Sequence, residues 1–430
     1  MDGKVRLQLA DRAQVRLEAL DVDALVPKGH RVRSVWAFVA GLDLSRFHEA
    51  IRAREGHAGR PPIDPAILLC LWLYATLDDV GSARELERLT DFHHAYRWIC
   101  GGVSVNHHTL SDFRVDEGAF LDELLTRSVV ALMEAGVASL EEVAQDGLRT
   151  RAGAGSGSFR GRESLEQKLN EARARIERLK GEVKSDPAAN SKRRVAAEAR
   201  AAREAEQRAQ AALEHLAEME KAREGRRKKH KKRIDKQGEP RASLTDPQAR
   251  VIKMADGGFR PAYNLQIAMD TACGAVVGVE VSNETSDKGL VGPMLERIVR
   301  RFSKQPSRWL ADFGYAGNKI VENLAGAPGG GIEAYMPLPK GRDSGPARKP
   351  GPAGPAVQAW RDRMNSDEGK AVYKRRCLVE WVNAGMRNRG LTRLTVRGKS
   401  KVEAVLLWQA VAHNFLCLLR NGIPTIPQTA

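Results

Sequence analysis

Three acidic residues stand in contexts where carboxylates do chemistry: Asp146, Asp312 and Glu380. Trp309, Leu310 and Ala311 form a short apolar run that ends on Asp312, with Gly314 as a breaker. That pattern predicts a buried strand delivering a carboxylate at its C-terminal tip, where open α/β sheets place their chemistry. Glu141 to Asp146, followed by Gly147, predicts a second strand-tip aspartate. Glu380 falls in a helix predicted over Ala371 to Asn388, with Tyr373 and Arg376 on its face and Arg387 about two turns on. Oxygen ligands suit Mg²⁺, and a pair of such ions about 3.5–4 Å apart neutralises the attacking and leaving oxygens of a phosphodiester. Arg376 and Glu380 also fit an ordinary i,i+4 ion pair on a solvated helix; the two aspartates tip the balance toward chemistry. Glu333, Glu368 and Glu403 compete as the third acid, and Asp256, Asp270 and Asp287 as replacements for an aspartate. Asp287 follows a predicted strand and precedes a helix, which suits an N-cap.

The rest of the composition narrows the partners. The chain has 430 residues and a formal net charge of +16, enough length for two or three domains and a basic excess suited to a polyanion. Nucleic acid fits that excess better than an anionic membrane surface. The longest apolar run, Ala66 to Leu77, is too short to span a bilayer. The first residues carry no apolar signal core, so a cytoplasmic location is expected. The five cysteines form no Cys-x-x-Cys pair, which argues against a disulfide frame or a zinc site. His93, His94, His107 and His108 lack a partnering Cys or helix-spaced Glu, so they read as surface or cap residues.

The elements that must position the acids follow from periodicity. Residues 1–137 read as an all-helical domain; a bundle of short helices in a basic protein suits a DNA-binding domain and an ordinary helical scaffold equally. Arg33 to Arg54 has helical spacing with a break near Gly41. Asp64-Pro65, Ser82 to Glu85 and Asn106 each open a helix. A long amphipathic helix then runs through Leu121, Leu125, Val129 and Leu132. Residues 138–158 give the first catalytic strand and a flexible Gly/Ser link. Residues 159–240 read as a helical hairpin: Leu165, Leu169, Ala172, Ile176, Leu179 and Val183 form a coiled-coil seam, and Ala202, Ala205, Ala209, Ala212, Leu216 and Met219 return. Its second arm ends in Arg226, Arg227, Lys228, Lys229, Lys231, Lys232 and Arg233; such a run is usually a solvated tail, but its concentration at the end of a projecting hairpin favours phosphate contact. Residues 241–422 hold a β-hairpin (Tyr263 to Met269, turn at Asp270 to Gly274, return to Val281) and a helix over Lys288 to Phe302. The Asp312 strand follows, then a short helix, a strand at Ile332 to Met336, a disordered loop at 338–356, the Glu380 helix and a last apolar helix over Val402 to Leu419. Residues 423–430 are a Pro-rich tail.

Without the hairpin, this order resembles the ribonuclease H-like fold, a mixed sheet flanked by helices in which the first and fourth strands are neighbours. Val143-Ala-Gln-Asp146-Gly147, Tyr263-Asn-Leu-Gln-Ile267 and Ala311-Asp312-Phe-Gly-Tyr315 resemble bacterial insertion-sequence transposases of the DDE type. Tyr373, Arg376, Glu380 and Arg387 stand at the spacings of that group's Tyr-Arg-Glu-Lys signature, with Arg387 where Lys is usual. Arg397-Gly398 and Ala412-His413-Asn414 resemble its C-terminal pattern. Leu25 to His30, Ile63 to Pro65, Ser82 to Glu85 and Phe113-Arg114 resemble its helical N-terminal domain. The likeness departs just past Glu380, where Trp381-Val-Asn383 replaces an expected Pro and aromatic residue.

The resemblance implies an α/β ribonuclease H-like catalytic domain, an all-α N-terminal domain and a helical-hairpin insertion. It implies Mg²⁺ (or Mn²⁺) held by Asp146, Asp312 and Glu380, with Asp146 bridging two ions. It also implies phosphate contacts by Tyr373, Arg376 and Arg387. The expected partners are double-stranded DNA, as terminal inverted repeats and as target, and further copies of the chain, a homodimer or larger. The expected setting is the bacterial cytoplasm, beside the nucleoid. Two alternatives stay open: a ribonuclease H-like nuclease or resolvase without strand transfer, and an inactive sequence-specific DNA-binding protein.

Overall fold

A computed structural model describes residues 13, 20–53, 61–185, 189–235, 238–339, 354–423 and 426, with backbone alone for 182–185, 189–193, 229–230 and 232–234. The disordered loop expected at 338–356 falls mainly on residues outside this set.

The N-terminal third is helical. Helices α1 (Arg31–Ala40) and α2 (Ser45–Ala50) are separated at Gly41, as the spacing predicts. Helix α3 (Pro65–Leu77) starts on Asp64, whose carboxylate accepts from Ala66 N at 2.8 Å. Nearly every residue of α3 is buried, so it is apolar all round and serves as a core helix. Helices α4 (Ala83–Phe92), α5 (His94–Cys100), α6 (His107–Asp116) and α7 (Gly118–Glu134) follow. Ser82 caps α4 by accepting from Glu85 N, and Asn106 caps α6 by accepting from Thr109 N. Glu85 does not complete the reciprocal half of a capping box; its carboxylate pairs with Arg88.

The central sheet is mixed. Strand β1 (Glu142–Arg151) pairs antiparallel with β5 (Phe259–Asp270) and parallel with β7 (Arg308–Ala311). Strands β4 (Arg250–Lys253) and β6 (Val276–Ser282) lie beside successive halves of β5, and β8 (Glu333–Tyr335) closes the other edge next to β7. The first strand is therefore the neighbour of the Asp312 strand. Strand β5 departs from a half-solvated hairpin strand: its alternate polar residues Asn264 and Gln266 are as fully buried as Leu265 and Ile267. A short pair, β2 (Phe159–Arg160) with β3 (Ala242–Ser243), ties down the base of the hairpin.

Helices α10 (Val291–Phe302), α11 (Asn318–Ala325), α12 (Pro355–Asn365), α13 (Asp367–Lys374), α14 (Cys377–Asn388) and α15 (Lys399–Arg420) complete the chain. Helix α15 is long and apolar enough to cross a membrane by length and composition, but that apolar surface is buried inside the protein. It packs on α3, α6 and α7 and also on β6, so one continuous core joins the N-terminal helices to the sheet. Asn414 clamps the start of β6, accepting from Val276 N at 2.8 Å and donating to Val276 O and Ser128 Oγ, each at 2.9 Å.

Several sequence expectations change. The first part of the Gly/Ser stretch after β1 is packed, while Gly155 to Gly157 are exposed: Ala152 is buried, its N–H bonds Pro261 O, and a Cβ on Gly153 would meet Val396 O at 3.1 Å. Helix α10 begins at Val291 because Gly289, at φ +93°, turns the chain just before it. The helix expected over Ala371 to Asn388 is two helices, α13 and α14, divided by a tight turn at Arg375 and Arg376.

The hairpin of α8 (Arg162–Ser185) and α9 (Ala189–Ile234) buries the predicted seam, with Leu165 against Ala212 and Leu216, and Ile176 and Leu179 against Val195 and Ala202. Val183 is among the residues without described side chains. Arg162 pairs with Glu220 at 2.5 Å, so α8 starts where α9 has some fourteen residues left to run. The basic run lies on that overshoot, about 21 Å of helix projecting from the base of the hairpin rather than from its turn.

Candidate active site

The site forms where β7 stops and β1 continues. Gln145 pairs with Ala311, the last residue of β7, so Asp146 and Asp312 are the next residues along two neighbouring parallel strands. Strand spacing puts their backbones about 5 Å apart, with side chains leaving the sheet on one face. Asp312 sits at the strand tip, as its apolar run predicts. Asp146 does not: it lies mid-strand, because β1 runs on beside β5 to Arg151 after β7 has ended.

Helix α14 brings the third acid. Its buried face, Val379, Val382, Asn383 and Met386, packs toward β1 and β5. Asn383 Nδ2 donates to Asp146 Oδ2 at 2.8 Å, across 237 positions of chain. Arg376, at the N-cap of α14, stands 4.0 Å from Asp146 Oδ1, bonds Glu380, and lies over the Tyr373 ring at 5.9 Å from its centroid. Arg376 thus links the two acids and the tyrosine. Glu380 is half exposed and turned onto Arg376. Among the described residues, no three carboxylate, imidazole or thiol groups close to chelating distance in this conformation. Burial raises the Asp146 carboxyl to about 6; Gly147 N–H and Arg376 oppose the rise, while Asp312 and Glu380 add to it. A carboxyl raised this way, among other acids, gains most from a nearby cation.

Behind the acids lies a buried polar layer. Gln145 Nε2 donates to Gln266 Oε1 at 2.8 Å, and Tyr315 OH donates to the same oxygen at 2.6 Å. Burial, with the charges of Asp287, Asp146 and Asp312, pushes the Tyr315 hydroxyl well above its usual range, so it remains a donor. Asp312 Oδ1 accepts from Gly314 N at 2.7 Å, which fixes the turn after β7.

The other residues expected to touch DNA are placed as follows. Arg387 is exposed in the last turn of α14. Arg226, Arg227, Lys228 and Lys231 are exposed on α9; Arg227 is paired with Asp235 at 2.7 Å. The side chains of Lys229, Lys232 and Arg233 lie outside the described residues. Among the competing acids, Asp270 caps the turn before β1, accepting from Leu140 N at 2.6 Å, and Asp256 pairs with Arg260. Glu333 pairs with Arg363, and Glu403 with Arg297. Glu368 sits in the first turn of α13.

Sequence reasoning missed Asn383, Gln266 and Tyr315 as members of the site. The signal for Gln266 was its alternation with apolar residues in a strand, which also fits a solvated face. Asn383 stood in the departure from the family pattern, and its contact with Asp146 is purely tertiary.

Two family models match the chain. One, described as Transposase domain (DUF772), matches residues 20–116; the other, Transposase DDE domain, matches residues 226–415. The second match includes Asp312 and Glu380, while Asp146 lies upstream of it, before the helical hairpin in whose second helix the match begins. No curated protein and no solved structure matches the chain.

Proposed function

The chain is an insertion-sequence transposase of the DDE type, and from that premise we propose that it cleaves DNA hydrolytically at the inverted-repeat ends of its element and joins the resulting 3′-hydroxyls to target DNA. The observation that carries this reading is the juxtaposition of Asp146 and Asp312 on neighbouring strands beneath the helix that bears Glu380. On this reading the sheet is a ribonuclease H-like catalytic domain with the α8–α9 hairpin as an insertion.

The donor set suits a hard divalent cation. It consists of carboxylate oxygens, one of them on a carboxyl raised by burial, beside the buried and unpartnered Oδ1 of Asn383. Asp146, Asp312 and Glu380 would hold Mg²⁺, or Mn²⁺ in its place. When bound, the metal neutralises charge on the attacking and leaving oxygens of the phosphodiester. Arg376 holds Asp146 and Glu380 in reach of one another and would meet a scissile or flanking phosphate together with Tyr373 and Arg387. Asn383 and Gly147 N–H fix the Asp146 carboxylate. In cleavage, the water oxygen bonds to phosphorus and the element's 3′-oxygen leaves as a hydroxyl. In transfer, that hydroxyl bonds to a target phosphorus and a target 3′-hydroxyl leaves. Bonds made and broken balance in both steps, so no nucleotide energy source is needed.

The N-terminal helices and the basic overshoot of α9 would grip the DNA ends, and pairing two ends calls for at least a dimer. The bacterial cytoplasm, at the nucleoid, is the setting such a substrate requires. An assay with purified protein, Mg²⁺ and both intact and pre-cleaved end DNA tests the proposal. Joined products support it, cleavage of intact ends without joining points to a nuclease, and neither product leaves a DNA-binding protein.

A further inference from the structure

We propose that Asp287 is a fourth carboxylate of this site, holding the same divalent cation as Asp312; the inference rests on the metal-dependent reading above. Its place ahead of a helix suggests an N-cap, but the structure gives it another task. The N-cap of α10 is Leu290, and no side chain caps that helix. The Asp287 side chain turns instead into the polar layer behind the acids. Its Oδ1 accepts from Asn264 Nδ2 at 2.7 Å and from Gln266 Nε2 at 3.1 Å, both from β5. Its Oδ2 stands 3.6 Å from Arg149, a looser ion pair.

Two glycines make room for this carboxylate. A Cβ on Gly147, the residue after Asp146, would meet Asp287 Oδ1 at 2.7 Å. A Cβ on Gly314 would meet Asp312 Oδ1 at 2.9 Å and Asp287 Oδ2 at 3.2 Å. Asp312 Oδ1 and Asp287 Oδ2 therefore both lie within 3.2 Å of the point that a Cβ on Gly314 would occupy. Tyr315 OH donates to Gln266 Oε1, and the same amide donates through Nε2 to Asp287 Oδ1, so one side chain connects the tyrosine to this carboxylate. The like charges gathered here repel one another; Arg149 and Arg376 offset part of that repulsion, and a cation seated between the carboxylates offsets more. Mg²⁺ keeps several of its waters, so it bridges oxygens that do not touch it directly. Asn383, only 5% exposed and bonded to Asp146 through Nδ2, has a buried Oδ1 with no hydrogen-bond partner among the described residues.

Asp287→Asn separates this role from a merely structural one, since the amide oxygen still accepts from Asn264 and Gln266 while the charge is gone. The measurement is Mn²⁺ binding to the full-length protein, followed by the electron paramagnetic resonance of free Mn²⁺. The variants are D287N, D312N and Gly147→Ala, the last displacing the carboxylate without neutralising it. Affinity should fall about tenfold or more in D287N and in G147A, and D287N should melt no lower than wild type in EDTA. Wild-type Mn²⁺ affinity in D287N, alongside a loss in D312N, overturns the proposal and leaves the parent reading standing. Wild-type affinity in D312N overturns the parent reading itself.

Discussion

Asp146→Asn should make the metal-free protein more stable at neutral pH while abolishing its chemistry. The Asp146 carboxyl is raised to about 6 from an ordinary 3.8, first by burial and then by the neighbouring acids Asp312 and Glu380. A group whose folded-state value lies above its unfolded one stabilises only while protonated. Its contribution is intact below the unfolded value, declines as pH rises from about 4, and is gone once pH passes about 6. Above that, the folded protein carries a penalty of about 3 kcal/mol, an upper figure set by the interval between the two values. The side chain is only 18% exposed, so solvent screens little of this. Asn removes the charge and keeps an oxygen for the Asn383 amide. An unfolding entropy of about 2 cal/mol/K per residue gives about 0.9 kcal/mol/K for the whole chain, so the gain in Tm is about 3 °C at most. The assay is thermal unfolding of wild type and D146N in EDTA at pH 7.5 and pH 4.5. D146N should lead at pH 7.5, and the lead should shrink sharply at pH 4.5. Equal Tm at pH 7.5, or a difference indifferent to pH, would refute the reasoning that burial and like charges load this carboxylate. Mn²⁺ added to wild type should recover part of the same deficit, and more weakly below pH 6, where protons compete for the ligand.

Asp312→Asn and Glu380→Gln should each abolish end cleavage and leave binding to end DNA unchanged in a gel-shift titration; full cleavage by either variant removes that residue from the site. Neutralising Lys228, Lys229, Lys231, Lys232 and Arg233 should flatten the salt dependence of DNA binding by about 0.9 in log–log slope for each phosphate no longer neutralised, and an unchanged slope would mark the run as a solvated helix end. Asn414→Ala should cost about 3 kcal/mol in denaturant unfolding, because it strips the start of β6 of its clamp and leaves Val276 N–H buried without an acceptor. A loss under 1 kcal/mol would show that water or a repacked neighbour fills the place.

What the sequence determined by itself was local. Helix starts at Asp64, Ser82 and Asn106, the β-hairpin around Asp270, the coiled-coil seam of the α8–α9 hairpin and the strand leading into Asp312 were all legible. Each depends on side chains a few residues apart, where period and capping act directly. Tertiary structure decided the rest. Only the register of β1 against both β5 and β7 puts Asp146 mid-strand yet level with the open end of β7. Only the packing of α14 on β1 turns Asn383, a departure from the family pattern, into the partner of Asp146. Asp287 looked like an N-cap because its neighbours in sequence allow one. Its actual partners, Asn264 and Gln266, come from a strand more than twenty residues earlier, and the space it fills exists because two glycines have no side chain. Spacing along a chain shows which residues share a face; which faces meet is set by sheet pairing and core packing over hundreds of positions, and that is where this site is made.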